Sequence, residues 1–305
     1  MLRLLLIRLA QIPIVIVVVS FVVFVFLNAS GDPVRMLLPI EASDADVEAM
    51  RMALGLDRPL LVRYGDFLVN ALHGDFGMSI RARRPAIDVV LDALPATLEL
   101  AATALFFATI ISIPLGIVSA VRRNGIVDTL ATTASVLGQS MPVFWLGIIL
   151  IMIFSVQLRW FPASGRGDWT AIVLPAVALG WYMNALMSRM TRTAMLEVLG
   201  QPFIRTARAK GLPERMVIFK HAFGNARIPI LTIWGLQAGA MLTGTVITET
   251  VFSWPGLGRA SIYALQGRDY PVVLAAIALF TVIFLLINLL VDLAYFWLDP
   301  RVRRS

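Results

Sequence analysis

Six stretches of this 305-residue chain are long and apolar enough to cross a membrane, and they limit the possible folds more than any other feature. They cover residues 9–28, 95–121, 130–157, 171–190, 229–252 and 272–297. A hydrocarbon core of roughly 30 Å takes about 20 mainly apolar residues per helix. A lone strand in lipid would leave its backbone groups unpaired. The sequence therefore predicts an all-α membrane protein with six transmembrane helices.

The composition excludes a soluble protein and does not favour a transition-metal site. Hydrophobic residues make up 59% of the chain and charged residues 15%, with a mean hydropathy of +0.83. So few charges could not cover that much apolar surface in water. The absence of cysteine excludes disulfides and thiolate ligands, and the two histidines, His73 and His221, lie in separate loops. We expect no cofactor or metal in this chain.

The loop charges predict which side of the membrane each loop occupies. If six helices alternate, most cationic residues fall on one side. They are Arg3 and Arg8, Arg122 and Arg123, eight Lys and Arg between Arg189 and Arg227, and Arg301, Arg303 and Arg304. The opposite side carries 29–94, with ten acids and seven arginines. An excess of cations marks the cytoplasmic face. Both termini are therefore predicted to lie on the cytoplasmic side, and the membrane is predicted to be the cytoplasmic membrane of a prokaryote.

The first apolar run could also be read as a signal peptide, because Arg3 and Arg8 precede it. It is long for a signal peptide, and no small-x-small cleavage site follows Leu27, so we interpret it as a retained helix. The net charge of +7 is divided among juxtamembrane loops. No soluble basic domain exists to hold a duplex, and nucleic-acid binding is not expected.

Two loops are too large to be simple connections, and they divide the chain. We expect an N-terminal helix over 1–28, an external loop or cap over 29–94, and a five-helix core over 95–305 that includes an internal loop at 191–228. The acidic start of the pattern from Asp44 to Leu54 suits a helix N-terminus. The apolar residues of the external loop favour a small ordered cap, and the alternative is a disordered tether.

The internal loop reads as two short helices with a break between them. Phe203 to Lys210 is rich in good helix formers, Gly211 suits a helix end, and Pro213 suits the first turn of the next helix. The second helix, Glu214 to Ala226, places Met216, Phe219 and Phe223 at helical spacing. One interpretation is an interfacial helix whose charge only sets orientation. The other is a docking surface for a cytoplasmic partner.

Several motifs, in the right order and over most of the chain, resemble one family. They are Gly31-Asp32-Pro33, Leu54-Gly55-Leu56-Asp57-Arg58-Pro59-Leu60, Gly74-Asp75-Phe76-Gly77-Met78-Ser79, Arg205-Thr206-Ala207-Arg208-Ala209-Lys210-Gly211, and Glu249-Thr250-Val251-Phe252-Ser253-Trp254-Pro255-Gly256-Leu257-Gly258. These stretches resemble bacterial ABC-importer permeases of the dipeptide/oligopeptide/nickel family. The resemblance implies the membrane subunit of an ATP-driven importer, with cytoplasmic coupling helices between the fourth and fifth spans.

The resemblance also implies partners and a coupling site. The partners would be a second, similar permease subunit in a heterodimer, ABC ATPase subunits that bind ATP and Mg, and a periplasmic or lipid-anchored binding protein. The residues implied in ATPase coupling are Arg205, Thr206, Ala207, Lys210, Gly211, His221 and Asn225. The family's general motif begins with Glu-Ala-Ala and has a proline soon after its glycine. Here Arg205-Thr206-Ala207 stands there and the proline is Pro229, so no salt bridge through that acid is assigned.

The chain itself is not expected to hydrolyse ATP. A phosphate-binding P-loop needs Gly-Lys-[Ser/Thr], but Lys210 follows Ala209 and Lys220 follows Phe219. No nucleophile–base pair and no paired carboxylates are evident. The sequence therefore predicts a transport subunit that is not an enzyme.

Polar residues within the spans are candidates for the substrate path. Those selected are Gln139, Ser140, Asn184, Gln237, Thr245, Glu249 and Trp254. Polar groups in a membrane usually face the protein interior or a wet cavity. The alternative is that they only hydrogen-bond helix to helix. We predict an outer gate at 249–258, against the alternative that Trp254 only anchors its helix among the lipid headgroups. Gly235 and Gly239 favour tight helix packing.

The sequence leaves the cargo open. The family it resembles spans peptides, glutathione, nickel complexes and some oligosaccharides, and of these we favour di- and oligopeptides. An ion-coupled secondary transporter would often show inverted repeats and ionisable residues at mid-span, which are not apparent here. That class remains the alternative.

The charge asymmetry of the loops generates a prediction about topology. Reporter tags at Met1 and Ser305 should be accessible only from the cytoplasm, and tags near Ser43 or Asp88 only from outside. Protease protection in oriented vesicles measures both. Labelling of Lys210 from the outside would contradict the scheme.

Overall fold

The computed structural model describes residues 2–29, 43–53 and 55–298, and these residues form eleven helices. The helices are α1 (Leu2–Ala29), α2 (Asp44–Ala53), α3 (Leu60–Leu72), α4 (Ala86–Val121), α5 (Ile126–Ser140), α6 (Val143–Gln157), α7 (Val173–Leu199), α8 (Pro202–Ala209), α9 (Glu214–Val251), α10 (Leu257–Gln266) and α11 (Tyr270–Leu298). Within those ranges there is no β-strand, and one isolated bridge joins Met78 and Pro85. The Gly31-Asp32-Pro33 motif, Leu54 and the C-terminal arginines lie outside the described residues. The predicted all-α class is confirmed.

In the described part of the chain, four helices are long and apolar enough to cross a membrane alone: α1 over Gln11–Ala29, α4, α9, and α11 over Tyr270–Ala294. Helices α5 and α6 pass the same test only as a bent pair. The fourth predicted span, 171–190, is helical as part of α7 but falls outside this set. Nearly half of the α7 residues are buried against neighbouring helices, and a helix shielded from lipid needs fewer apolar residues. The count of six and the orientation stay predictions.

The predicted continuous span over 130–157 is wrong. Helix α5 ends at Ser140, α6 begins at Val143, and the two axes differ by 107°. Pro142 explains the break, because a proline disfavours helical geometry at the residue before it. Met141 is accordingly extended, with φ −90° and ψ 122°. The last seven residues of α6, Ile151–Gln157, form a π-helix.

The chain divides into two compact units, of which the first comprises Met1–Pro95 and Gly256–Leu285. There α3 packs along α1: the Tyr64 hydroxyl donates to the Val17 carbonyl at 2.7 Å and lies 2.9 Å from the Ser20 hydroxyl. Phe21, Phe24 and Phe67 surround the Tyr64 ring. Residues 60–72 of the predicted cap segment are therefore helical and pack against α1, and the cap as a whole stays a prediction.

Helix α2 begins where the sequence predicts, at Asp44, and its N-terminus is capped locally. The Ser43 hydroxyl donates to the Asp46 carboxylate at 2.6 Å and accepts from the Asp46 backbone N–H. This reciprocal arrangement satisfies donors that a helix start leaves unpaired. The Ser43 hydroxyl, together with its backbone N–H, holds the pKa of Asp46 below its ordinary value.

The second unit comprises Ala96–Pro255 and Leu286–Ser305, and α7 lies at its centre. Helices α5, α6 and α9 all pack against α7. Glycines permit the close contacts: a Cβ on Gly180 would lie 2.9 Å from the Ala104 carbonyl oxygen, and one on Gly244 would lie 2.7 Å from Leu179. On α9, a Cβ on Gly235 would meet Val291 at 2.3 Å. The packing role predicted for Gly235 is confirmed.

A buried ion pair that the sequence analysis missed joins three elements of the second unit. Arg192 on α7 donates to both carboxylate oxygens of Asp128 on α5, at 2.6 and 2.8 Å. The Ser119 hydroxyl at the end of α4 and the Asn124 backbone N–H donate to the same carboxylate. Asp128 is 4% exposed. Asp128 therefore joins the turn between α4 and α5 to Arg192 of α7, ten residues before the start of α8 at Pro202.

The burial of this pair predicts a large effect of Asp128→Asn on stability. The neutral amide leaves the Arg192 guanidinium without a counter-charge, and because that side chain is 26% exposed, the expected loss is about 1–3 kcal/mol. Asp66→Asn is a matched control, because Asp66 pairs with Arg58 at 2.9 Å while both side chains are well exposed. An exposed pair is worth under about 1 kcal/mol. Denaturant unfolding in detergent micelles compares the two, and equal losses would contradict a structural role for Asp128.

Candidate functional site

Helix α8 carries much of the predicted coupling motif, and its inner face is buried. Ile204 is fully buried and Ala207 is 7% exposed, whereas Arg205, Thr206 and Lys210 are exposed. The spacing of Ile204 and Ala207 puts both on one side of the helix. Ala207 therefore packs α8 against the hydrophobic core of the second unit, and the cationic side chains are left on the surface.

The turn after α8 is fixed by a glycine in the left-handed conformation, as predicted. Gly211 has φ +76°, its N–H donates to the Arg208 carbonyl, and the Leu212 N–H donates to the Ala207 carbonyl. This pair of hydrogen bonds is the Schellman ending of a helix. Arg208 also forms a two-point ion pair with Glu214, at 2.6 and 3.1 Å, which closes the turn onto the start of α9.

The prediction of a separate second coupling helix is wrong, because α9 runs without a break from Glu214 to Val251. Pro229 lies inside this helix. A π-helical turn over Val217–Ala222 near the start inserts an extra residue and rotates the buried face. Val217, Ala222 and Ala226 are fully buried.

The prediction of one apolar face over Glu214 to Ala226 is therefore only partly correct. Phe223 packs against the core and Met216 is half-buried, but Phe219 is 55% exposed. The spacing of Met216, Phe219 and Phe223 assumed a regular α-helix, and the π turn breaks that register. The exposed ring of Phe219 adds an apolar group to a cationic surface.

Residues 202–229, called here the coupling segment, carry six exposed cations. They are Arg205, Arg208, Lys210, Arg215, Lys220 and Arg227. Of the other predicted coupling residues, Asn225 is exposed and donates to the His221 carbonyl at 2.7 Å, and His221 is half-buried. The His221 Nε2 atom is buried and has no hydrogen-bond partner among the described residues.

At the other end of α9, Glu249 and Trp254 are held by two residues of α4. Glu249 is fully buried and accepts a hydrogen bond from the Thr97 hydroxyl at 2.6 Å. Trp254 is 1% exposed and donates through Nε1 to the Ala96 carbonyl at 2.8 Å. These four residues are called here the Glu249 cluster. A headgroup anchor would expose its ring, so the burial of Trp254 contradicts the anchor alternative.

The backbone after Glu249 is also fixed. The Trp254 N–H donates to the Glu249 carbonyl at 2.8 Å and the Ser253 N–H to the Thr250 carbonyl, again a Schellman ending. Ser253 occupies the left-handed position, with φ +50°, where glycine is usual. A side chain in this conformation costs about 1 kcal/mol, which the surrounding contacts must offset.

The loop between α6 and α7 joins the same region. The Gly165 N–H donates to the Phe252 carbonyl at 2.9 Å, and Arg166 forms an ion pair with Glu99 on α4 at 2.6 Å. The sequence analysis identified Glu249 and Trp254 but not Thr97 or Ala96, which lie more than 150 residues away along the chain. No local pattern indicates such pairs.

The remaining path candidates divide into paired and unpaired residues. The hydroxyl of Thr245 donates to the Leu242 carbonyl and that of Ser140 to the Val136 carbonyl, as in ordinary helix packing. By contrast, Nε2 of Gln139 and Oδ1 of Asn184 are buried and have no partner within the described residues. Gln237 is half-buried.

The unpaired atoms of Gln139 and Asn184 belong to α5 and α7, which pack against each other. A Cβ on Gly138 would lie 2.8 Å from Nε1 of Trp181 and 3.1 Å from Ala185, so the contact is close. Nε1 of Trp181 is also buried and without a partner in the described residues. These donors and acceptors remain available to water, cargo or a partner subunit.

The structure gives no sign of a resident metal site. In the ranges that it describes, no three His, Cys, Asp or Glu side chains lie close enough to hold an ion.

Comparison with known proteins finds matches over nearly the whole chain. Residues 112–304 match the family described as "Binding-protein-dependent transport system inner membrane component", and residues 1–101 match the corresponding N-terminal family. The chain is 43% identical over 287 residues to the glutathione transport system permease protein GsiC of Escherichia coli strain K12, covering 94% of both chains. The same protein of Shigella boydii serotype 4 is 42% identical over the same lengths.

Solved structures agree at the level of the fold. An inward-facing structure of the MetNI methionine ABC transporter matches with a TM-score of 0.58 at 20% identity, covering 69% of this chain and 96% of that chain. An amino acid ABC transporter crystallised with histidines matches with a TM-score of 0.51 at 19% identity, covering 68% and 93%.

The left-handed turn at Gly211 generates a prediction about local stability. A Cβ on Gly211 meets no atom within 4 Å, so Gly211→Ala is disfavoured only by the backbone conformation, by about 1 kcal/mol. Gly224 is a matched control, since it has the same open space but lies in α9 with no positive φ. Gly224→Ala should be neutral or slightly stabilising. Hydrogen exchange over residues 202–216 should be faster only in Gly211→Ala, and equal exchange in both variants would contradict the assigned turn.

Proposed function

The chain belongs to the family of binding-protein-dependent transport system inner membrane components, and we propose that it passes short peptides, including glutathione, into the cell. It is the permease subunit of an ABC importer and a multi-pass protein of the cytoplasmic membrane. The family is one of membrane permeases and not of ATPases.

The cargo proposal rests on one observation, the 43% identity over 94% of the chain to a permease of a glutathione transport system. Glutathione is a tripeptide, so this relative fits the di- and oligopeptide class expected from the motifs. Nickel complexes and oligosaccharides are the alternatives that a transport assay must exclude. Family membership does not favour an ion-coupled secondary transporter.

The proposed complex contains this chain, a second similar permease subunit, two cytoplasmic ATPase subunits that bind ATP and Mg, and an external binding protein. The exposed cations of the coupling segment support docking of an ATPase there, because acidic surfaces are attracted to such a patch. The buried contacts of Ile204 and Ala207 hold α8 on the core, so that a force on α8 moves helices and not a loop.

Helix α9 provides a route by which that force reaches the opposite end of the second unit. At 1.5 Å per residue, its 38 residues extend about 57 Å from the coupling segment to the Glu249 cluster. Because Glu214 and Val251 belong to one helix, a displacement at one end shifts the hydrogen bonds of Glu249 and Trp254 at the other. We therefore assign the Glu249 cluster to the outer gate at 249–258.

The break between α5 and α6 supports a position for the substrate path. Irregular backbone at membrane depth is tolerated only where protein covers it or where it lines a wet cavity. Gln139 directly precedes this break and has a buried unpaired nitrogen, and α7 contributes the unpaired oxygen of Asn184. We propose that these two side chains line the path, whereas Thr245 packs helices.

The proposed function is tested by reconstituting the full complex in proteoliposomes with its external binding protein. Uptake of labelled glutathione, of di- and tetrapeptides, and of nickel is measured with and without ATP. The proposal predicts ATP-dependent uptake of glutathione or short peptides and none of nickel. Nickel uptake alone would contradict the cargo assignment, and uptake driven by an ion gradient without ATP would contradict the mechanism.

The gate assignment generates a separate prediction. Thr97→Val removes the hydroxyl that donates to Glu249 and leaves a buried carboxylate with one donor fewer, a loss of about 1–3 kcal/mol. If the Glu249 cluster holds the gate shut, the variant should hydrolyse ATP several-fold faster without binding protein. Thr250→Val is a control, since the Thr250 hydroxyl is exposed and bonds only to the Val246 carbonyl of its own helix. Wild-type basal hydrolysis in Thr97→Val at normal expression would contradict the assignment.

A further inference from the structure

We propose that Arg81, Arg83 and Arg268, called here the arginine surface, form a docking site for an acidic face of the external binding protein. The inference rests on the proposed function and names the surface at which that partner is recognised. All three residues belong to the first unit, in the turn before α4 and the turn before α11. The loop charges predict that both turns lie outside the cell.

A buried acid holds the two turns together. Asp269 is 2% exposed, and it accepts hydrogen bonds from the Ser79 hydroxyl at 2.6 Å and from the backbone N–H groups of Ile80 and Arg81 at 3.2 and 3.3 Å. Its own carbonyl accepts the Val273 N–H in the first turn of α11. The turn around Arg81 is therefore attached to the start of a long helix, and its surface is rigid.

Two of the arginines are held in a backbone conformation that L-residues rarely adopt. Arg83 and Arg268 both have φ +50°. Arg83 donates its N–H to the Ser79 carbonyl, and Arg268 ends α10 by donating to the Leu265 carbonyl. Left-handed conformations of bulky residues cost of order 1–3 kcal/mol, persist only where surroundings enforce them, and cluster at functional sites.

The third arginine lies against the second turn. A Cβ on Gly267 would be 2.7 Å from Nε of Arg81 and 3.0 Å from its Cζ, so the guanidinium covers Gly267. This contact places Arg81 beside Arg268. Arg81 and Arg83 are exposed and Arg268 is half-exposed.

The charges of the arginine surface are not neutralised within the described residues. None of its three guanidinium groups has an ion-pair partner there, whereas neighbouring Arg84 pairs with Asp92 at 2.6 Å. Orientation does not account for these cations, because the positive-inside rule places Lys and Arg on the cytoplasmic side. The external segment 29–94 has more acids than arginines, so a rigid cationic surface there differs from its surroundings.

A protein partner fits this surface better than lipid headgroups. A fluid headgroup layer is attracted to positive charge in any geometry and does not require strained, immobilised arginines. A folded partner gains from fixed positions, because guanidinium groups recognise carboxylates by two-point hydrogen bonds of defined geometry. The proposal commits to carboxylates on the binding protein.

The test uses the reconstituted complex in nanodiscs of zwitterionic lipid, with ATP hydrolysis measured against the concentration of liganded binding protein. Arg83→Glu should raise the half-saturating concentration of binding protein about tenfold, because the reversed charge repels an acidic face of that protein. ATP hydrolysis without binding protein should be unchanged. Arg159→Glu is a matched control, since Arg159 is also exposed, has φ +56° and is predicted to be external. Arg83→Gln should produce a smaller rise and a weaker dependence on salt.

The possible outcomes separate the surface from the function. Equal half-saturation for Arg83→Glu, Arg83→Gln, Arg159→Glu and wild type would overturn the docking proposal while uptake still supported the function. A difference that appears only in nanodiscs with anionic lipid would assign the surface to headgroups and also overturn it. If wild type shows no stimulation by binding protein at any concentration, the proposed function fails together with the surface. A tenfold shift confined to Arg83→Glu in zwitterionic lipid supports the docking site.

Discussion

The structure depends on one constraint: a charged group withdrawn from water must be paired inside the protein. In the described part of the chain three acids are buried, namely Asp128, Glu249 and Asp269. Each lies at a helix end and accepts hydrogen bonds from a distant element: Asp128 from Arg192 of α7, Glu249 from Thr97 of α4, and Asp269 from the turn around Ser79. Together with the close approaches at Gly180, Gly235 and Gly244, these directional contacts fix the positions of the elements that they join.

Two of the buried polar side chains have an atom without a hydrogen-bond partner among the described residues. These atoms can bind water, cargo or another subunit. Nε2 of Gln139, near the break between α5 and α6, and Oδ1 of Asn184 on α7 are buried without such a partner. The contrast with Thr245, whose hydroxyl bonds to its own helix, separates polar groups that pack from polar groups that await water or cargo. The sequence alone cannot make this distinction, because all three are equally polar residues in apolar runs.

The class of the protein, its apolar helices and several helix ends could be predicted from local chemistry, because apolar length, caps and glycines act over a few residues. The start of α2 at Asp44 and the left-handed Gly211 are examples. Three features could not be predicted locally. Pro142 separates α5 from α6 whereas Pro229 is accommodated inside α9, and their surroundings decide between these outcomes. The π turn at Val217–Ala222 exposes Phe219, and the partners of Glu249 and Trp254 lie far away in sequence.

The continuity of α9 changes how the two candidate sites relate to each other. As separate elements, a coupling helix and an outer gate would need a mechanism to connect them across a flexible joint. In the structure both regions belong to one helix, from Glu214 to Val251, which packs along α7 and approaches it closely at Gly244. At its start Glu214 pairs with Arg208 of α8, and at its other end Glu249 and Trp254 are hydrogen-bonded to α4. Under the proposed function, a movement of α8 would reach the hydrogen bonds of Glu249 and Trp254 through this one helix, and the contacts at its two ends are where substitutions would separate the two sites.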